Sequence, residues 1–129
     1  MVPDDLLYTS EHTWIKADGI FATFGITDFA QSNLGDVVFV DLPAVGEKIL
    51  AGDNMGSIET TNTVNPVTEL HAPVNGEVFA VNDDLEHSPE LVNQDPYGTG
   101  WIAVIELSNP EDLTALLTPK QYALLIENI

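Results

Sequence analysis

Apolar positions along the chain fall mostly in short runs separated by Gly, Pro and Asn, the pattern of brief strands joined by turns. Residues 20–26, "IFATFGI", and 37–42, "VVFVDL", are rich in β-branched and aromatic side chains, and the second is bounded by Gly35 and Pro43. Both predict buried strands. Residues 44–59, "AVGEKILAGDNMGSIE", set short apolar pairs between Gly turns, and residues 69–83, "ELHAPVNGEVFAVND", repeat that rhythm. The two stretches predict the halves of one small sandwich, with Asn75-Gly76 supplying the positive φ of a tight hairpin turn.

Elsewhere the periodicity changes. Thr27 is placed to cap a short helix, "DFAQSNL", that ends at Gly35, and Ser88 to cap a second, "PELVN", with Pro89 in its first turn. Residues 101–107, "WIAVIEL", predict a further strand. In "SNPEDLTALLTPKQYALLIENI", Leu113, Leu116 and Leu117 have helical spacing, Pro119 stops the run, and Tyr122, Leu125 and Ile126 resume it. A mainly β centre with small flanking helices and a helical C-terminus follows. At 129 residues and 44% hydrophobic content there is material for one core, so residues 1–129 are expected to form a single domain.

Composition narrows the function. Twenty-one acidic residues stand against three Lys and no Arg, giving a formal charge of −18, which repels phosphate backbones and anionic lipid surfaces. Nucleic acid and membrane are therefore not expected partners; basic or neutral proteins are. The acids are spread along the chain, which argues against a disordered acidic tail and for a solubility role or adaptation to a saline interior. No apolar run has the roughly 20 residues of a membrane span, and "MVPDDLLYTSEH" carries acids where a targeting peptide carries bases, so a soluble, cytoplasmic protein is expected. With no Cys there is no disulfide framework and no thiolate site.

No chemistry-bearing spacing emerges from the residues alone. His12, His71 and His87 lie far apart with no metal-type spacing and read as surface or turn histidines. The acids read as a solvated face, the "ETTNT" stretch as a polar loop with no base beside it, and the Gly pairs 52/56 and 98/100 as turns.

Four blocks nevertheless occur in a telling order: "GITDFAQSNLGDVVFVDLPAVGEKILAGD", "APVNGEVFAVND", "SPELVNQDPYGTGWI" and the closing "YALLIENI". Together they resemble the H protein of the glycine cleavage system, over residues 6–127. The resemblance implies a barrel-sandwich hybrid, the lipoyl-domain fold, and a monomer. It also implies a shuttle rather than an enzyme: family members carry lipoate on a Lys at a hairpin tip. A pyridoxal-phosphate glycine decarboxylase loads that arm, an aminomethyltransferase unloads it, and a flavin-dependent dehydrogenase reoxidises it. In a eukaryote the family's home is the mitochondrial matrix.

The hairpin stretch "IETTNTVNPVTELHAP" departs from the family at the decisive position. Glu59 matches the family's leading Glu, Glu69 its acidic residue, and residues 72–76 its Pro-x-x-Gly turn. Counting forward from Glu59 puts Asn62 where the family has Lys; counting back from the turn puts Asn65 there, so the loop is about three residues longer than the family's. An Asn amide nitrogen, its lone pair delocalised into the carbonyl, cannot attack an activated acyl group as an amine does. Pro66 restricts the residue before it and removes a backbone donor, which changes the shape of the tip. Two positions that the resemblance associates with the arm's surroundings also differ, Thr13 standing for the family's Glu and Phe29 for its His. No lipoate is therefore expected on this chain, and a non-carrier binding or regulatory relative is the leading reading, with the decarboxylase or another component of the system as partner. The alternative is a working carrier modified at Lys48 or Lys120; neither these nor Lys16 falls in the hairpin.

Overall fold

A computed structural model describes residues 2–128. Alternation builds its framework. In the strand Ala103–Leu107, Ala103, Ile105 and Leu107 are buried while Val104 and Glu106 turn outward, the period of two expected of a sheet with one wet face. In chain order the strands are β1 (Leu7–Tyr8), β2 (Thr13–Asp18), β3 (Phe21–Ile26), β4 (Val37–Asp41), β5 (Lys48–Ile49), β6 (Asn54–Thr60), β7 (Val67–His71), β8 (Gly76–Val81) and β9 (Ala103–Leu107). They make two antiparallel sheets, one ordered β1-β2-β3-β9-β8-β5 and one ordered β4-β6-β7. The two repeated stretches each give one strand to each sheet, since β5 pairs with β8 and β6 with β7. That is the sandwich the rhythm of the sequence implies.

The main core lies between the sheets, where Ile15, Phe24, Ile58, Val78, Ile102 and Ile105 are fully buried; each such side chain contributes about 1.5–3 kcal/mol by leaving water. A second cluster of Leu6, Tyr8, Trp14 and Tyr122 seals the flank where the C-terminus packs, with the Tyr8 and Tyr122 rings stacked 4.6 Å apart. Helix α1 (Asp28–Leu34) forms as its caps dictate: the Thr27 hydroxyl accepts the Ala30 N–H at 3.2 Å, and Gly35 ends it at φ 93°. No helix among the described residues is long and apolar enough to cross a membrane.

Several local expectations are overturned. β4 is only half-buried, for a bulge after Val37 leaves Val38 and Phe39 exposed. Asn75-Gly76 is not a positive-φ hairpin turn: the chain crosses there from one sheet to the other. Gly76 is required instead because a Cβ would overlap the Glu106 carbonyl oxygen. Gly56 is no turn either but sits inside β6 at a bulge, at φ 147°. Helix α2 (Leu91–Gln94) starts later than Pro89, and Ser88 contributes its carbonyl to the Leu91 N–H at 3.1 Å rather than a side-chain cap.

At the C-terminus, residues Pro110–Ala115 form a 3-10 turn and the chain then extends. Leu117 exchanges backbone hydrogen bonds with Tyr8 at 2.7 and 2.9 Å, a tertiary bridge that overrides the helical spacing of Leu113, Leu116 and Leu117. Pro119 does not stop a helix but opens one. In α3 (Pro119–Glu127) Thr118 and Gln121 form a reciprocal capping box, and the missing proline N–H falls in the first turn, where no intrahelical partner exists.

Candidate functional site: the β6–β7 hairpin and the cleft beside it

The hairpin tip spans residues 61–66 and is held by its own polar groups. Thr60 donates its N–H to the Pro66 carbonyl at 2.8 Å, closing the loop. Within it the Asn62 side-chain oxygen accepts the N–H groups of Val64 at 2.8 Å and Asn65 at 3.1 Å, while the Asn62 N–H donates to the Thr60 hydroxyl at 3.2 Å. Asn side chains organise turns in this way because the carboxamide stands in for a backbone acceptor. Thr61 N–H donates to the Asp36 carbonyl at 3.0 Å, tethering the tip to the segment that follows α1.

The two Asn residues thus differ. Asn62 is half-buried and committed to the turn, whereas Asn65, Pro66 and Val64 are exposed, Val64 by 81%. Glu59 lies on β6 between Phe39 and Val67, in the last β6–β7 pair before the tip. An amide-linked lipoyl group needs a lysine amine, and residues 61–66 hold none, so the donor set of this tip does not fit that group. Lys16 on β2, Lys48 on β5 and Lys120 on α3 are all exposed, and all lie outside the hairpin.

Beside the hairpin runs an open cleft of about 520 Å³, walled by α1, the turn between β1 and β2, and β7. Three residues singled out in the sequence, Thr13, Phe29 and Glu69, line it together. Ile26, Phe29, Leu34 and Leu70 give it apolar walls, and Glu11 and Glu69 give it an acidic rim. His71 stands between those acids, Nδ1 at 3.2 Å from Glu11 and Nε2 at 3.6 Å from Glu69. In the same cleft, His12 is held at φ 68° with its ring 4.8 Å from Phe29, and its Nδ1 lies 2.9 Å from the Tyr122 hydroxyl. That hydroxyl also reaches Thr27 Oγ1 at 2.8 Å, so one buried phenol joins α3, the β1–β2 turn and the cap of α1. Burial pushes the His12 imidazole below its ordinary range and Tyr122 up to about 12.

Sequence spacing gives no hint that His12 and His71 share a cleft, because the β1–β2 turn carries one and the end of β7 the other, and the two meet only in the folded chain. His87 lies elsewhere, beside Phe39 and Glu86. Among the described residues no three His, Asp or Glu side chains converge on a metal-sized site. Of the four hairpin positions singled out in the sequence, only Glu69 lines the cleft, with its β7 neighbours Thr68, Leu70 and His71; Glu59, Asn62 and Asn65 do not.

Two sheets that exchange strands in this way, flanked by helices and projecting one hairpin beside a cleft, define the barrel-sandwich hybrid of lipoyl-type carrier domains. Residues 6–129 match the family model described as "Glycine cleavage H-protein", and the chain belongs to that family. It is 50% identical over 127 residues to the glycine cleavage system H protein of Carboxydothermus hydrogenoformans, covering 98% of this chain and 95% of the relative. The H protein of Listeria monocytogenes is 52% identical over 121 residues, covering 94% of each. Among solved structures, the glycine cleavage system H protein from Mycobacterium marinum superposes with a TM-score of 0.86 at 37% identity, covering 98% of this chain and 99% of that one.

Proposed function

We propose that this protein is a non-carrier member of the H-protein family, a binding or regulatory relative that does not accept lipoate. The observation that supports the reading is the hairpin tip, where Asn62 spends its carboxamide on the turn and no amine is presented. The chain works as one domain and a monomer, without catalysing a reaction; strands from both ends of the sequence share one sheet, which supports a single unit. Its partner is the pyridoxal-phosphate glycine decarboxylase or another component of the glycine cleavage system, recognised without delivery of an aminomethyl group. A cytoplasmic home accords with the bacterial relatives.

The test is intact mass after incubation with lipoate, ATP and a lipoate ligase that modifies an authentic H protein in a parallel tube. The expected result is no change while the control is fully modified. A gain of about 188 Da, the mass added by acyl transfer to an amine, overturns the reading and directs peptide mapping to Lys48 and Lys120.

A further inference from the structure

The outer face of the six-stranded sheet carries a surface that neither the hairpin nor the cleft uses. Phe21, Glu106, Glu77 and Lys48 occupy one row across β3, β9, β8 and β5. Their neighbours Ala22, Ile105, Val78 and Ile49 turn inward and are buried, so the row faces out. Phe79, two residues beyond Glu77, alternates onto the same face beside the bulge between Val78 and Ala80, 56% exposed and with its ring 4.6 Å from that of Phe21. Ile20 and Leu50, 46% and 65% exposed, meet Lys48, Glu77 and Glu106 around a groove of about 450 Å³.

Two features make this more than a wet sheet face. An aromatic pair of half-buried Phe21 and exposed Phe79, beside the exposed Ile20 and Leu50, is the composition of an interface centre rather than of ordinary solvent-facing strands. Within it Glu77 and Glu106 stand directly opposite each other, a like-charge cross-strand pair that costs stability. Among the described residues neither carboxylate makes an ion pair, with Lys48 or with any other cation. Both remain free to accept hydrogen bonds from outside.

We propose that this face docks a partner protein whose contact surface is apolar at its centre and presents an arginine to Glu77 and Glu106. A planar guanidinium can donate to both carboxylates while its face lies against the Phe21–Phe79 pair, combining charge-assisted bonds with cation–π contact. A second copy of this chain is a poor occupant: at a formal charge of −18 each, two copies would add repulsion to the repulsion already present in the row. The surface is separate from residues 61–66, so the proposal holds whether or not the chain accepts lipoate.

The probe is the peptide acetyl-Leu-Arg-Trp-Arg-Leu-amide, titrated into the full ¹⁵N-labelled chain and followed by amide shifts. Perturbations are expected on β3, β5, β8 and β9. The double variant Glu77→Gln/Glu106→Gln should weaken binding by about tenfold or more, the scale of a lost charge-assisted contact, and Phe79→Ser should weaken it comparably. The charge-matched control Glu90→Gln/Glu127→Gln should bind as the parent does. The double variant should also melt no lower than the parent, because it relieves a repulsion, and this separates lost docking from lost folding. Shifts spread over acids all round the molecule, equal weakening by the control pair, or no shift at millimolar peptide each overturn the proposal.

Discussion

The side-chain oxygen of Asn62 accepts the backbone N–H of Val64 at 2.8 Å, and the same oxygen takes the N–H of Asn65. Two orphan donors of a tight loop are thereby satisfied by one residue, at one of the two positions where alignment would place a lysine. Asn62→Lys should therefore cost about 1 kcal/mol, as loss of a cap does, whereas exposed Asn65→Lys should stay within about 0.5 kcal/mol of the parent. Chemical denaturation of the two variants checks the contrast. Asn65→Lys is also expected to remain unmodified by a lipoate ligase, because Pro66 and the Asn62-capped turn keep the altered loop shape. Modification of that variant would show that the missing amine is the sole barrier.

Tyr122 carries a second contrast. Its buried hydroxyl lies 2.9 Å from His12 Nδ1 and 2.8 Å from Thr27 Oγ1. Tyr122→Phe keeps the ring stack on Tyr8 but leaves those groups without their partner, so a loss of about 1–3 kcal/mol is expected in thermal or denaturant unfolding. The phenol's raised pKa works in the same direction. Below the ordinary tyrosine value the hydroxyl is protonated in both states; as pH rises toward about 12, the unfolded chain ionises first and stability falls. The parent should lose stability more steeply than Tyr122→Phe over that alkaline window.

His12 gives the opposite slope at acid pH. Burial holds its folded pKa below the ordinary imidazole value, so the unfolded chain takes up the proton first as pH falls, and the stabilisation present near neutrality is lost through the folded midpoint. His12→Asn suits the site because Asn tolerates the left-handed φ of 68°. The stability difference between parent and His12→Asn should shrink or reverse from pH 7 toward pH 5. An imidazole titration by NMR with a midpoint at or above the ordinary value would contradict this.

What could be read in the sequence was what is local. Thr27 and Gly35 bracket α1 as cap chemistry requires, and the rhythm of residues 44–59 and 69–83 yields strands that pair across the two sheets. The misreadings come from tertiary contact. Leu117 is drawn out of a helical spacing by its bridge to Tyr8, and Gly76 is required by the Glu106 carbonyl rather than by a turn. At the site, family resemblance singled out Thr13, Phe29 and Glu69 one by one; that the three line one cleft is visible only in the fold. The Glu11–His71 contact was not legible either, since nothing in the sequence places residue 71 against the β1–β2 turn.

Gly56 tests the β6 bulge. At φ 147° it lies where a Cβ would overlap the Asp41 carbonyl oxygen on the neighbouring strand, so Gly56→Ala combines backbone strain with a steric clash. A loss of about 3 kcal/mol is expected. Gly19 is the control: it has φ 61° but nothing within 4 Å of an added Cβ. Gly19→Ala should cost only about 1 kcal/mol, the conformational part alone. Equal losses at the two sites would mean that β4 and β6 can separate there without penalty.

The charge balance leads to the last expectation. With 21 acids and three Lys, the folded chain holds its carboxylates closer together than the unfolded chain does, and that self-repulsion opposes folding. Among the described residues the contacts of Glu11 and Glu69 with a basic side chain are both to His71, and no Lys lies within 4 Å of a carboxylate, so no network of Lys–carboxylate contacts offsets it. Salt shortens the range of the repulsion from about 10 Å at 0.1 M to about 3 Å at 1 M. The melting temperature should therefore rise steadily with sodium chloride. Most of the gain should come at low ionic strength, where screening changes fastest. A chloride series is the right measurement, because sulfate would add a preferential-exclusion effect on apolar burial. A flat profile would show that the carboxylates are spaced widely enough for water alone to screen them, and that their number serves solubility and partner choice at no cost to the fold.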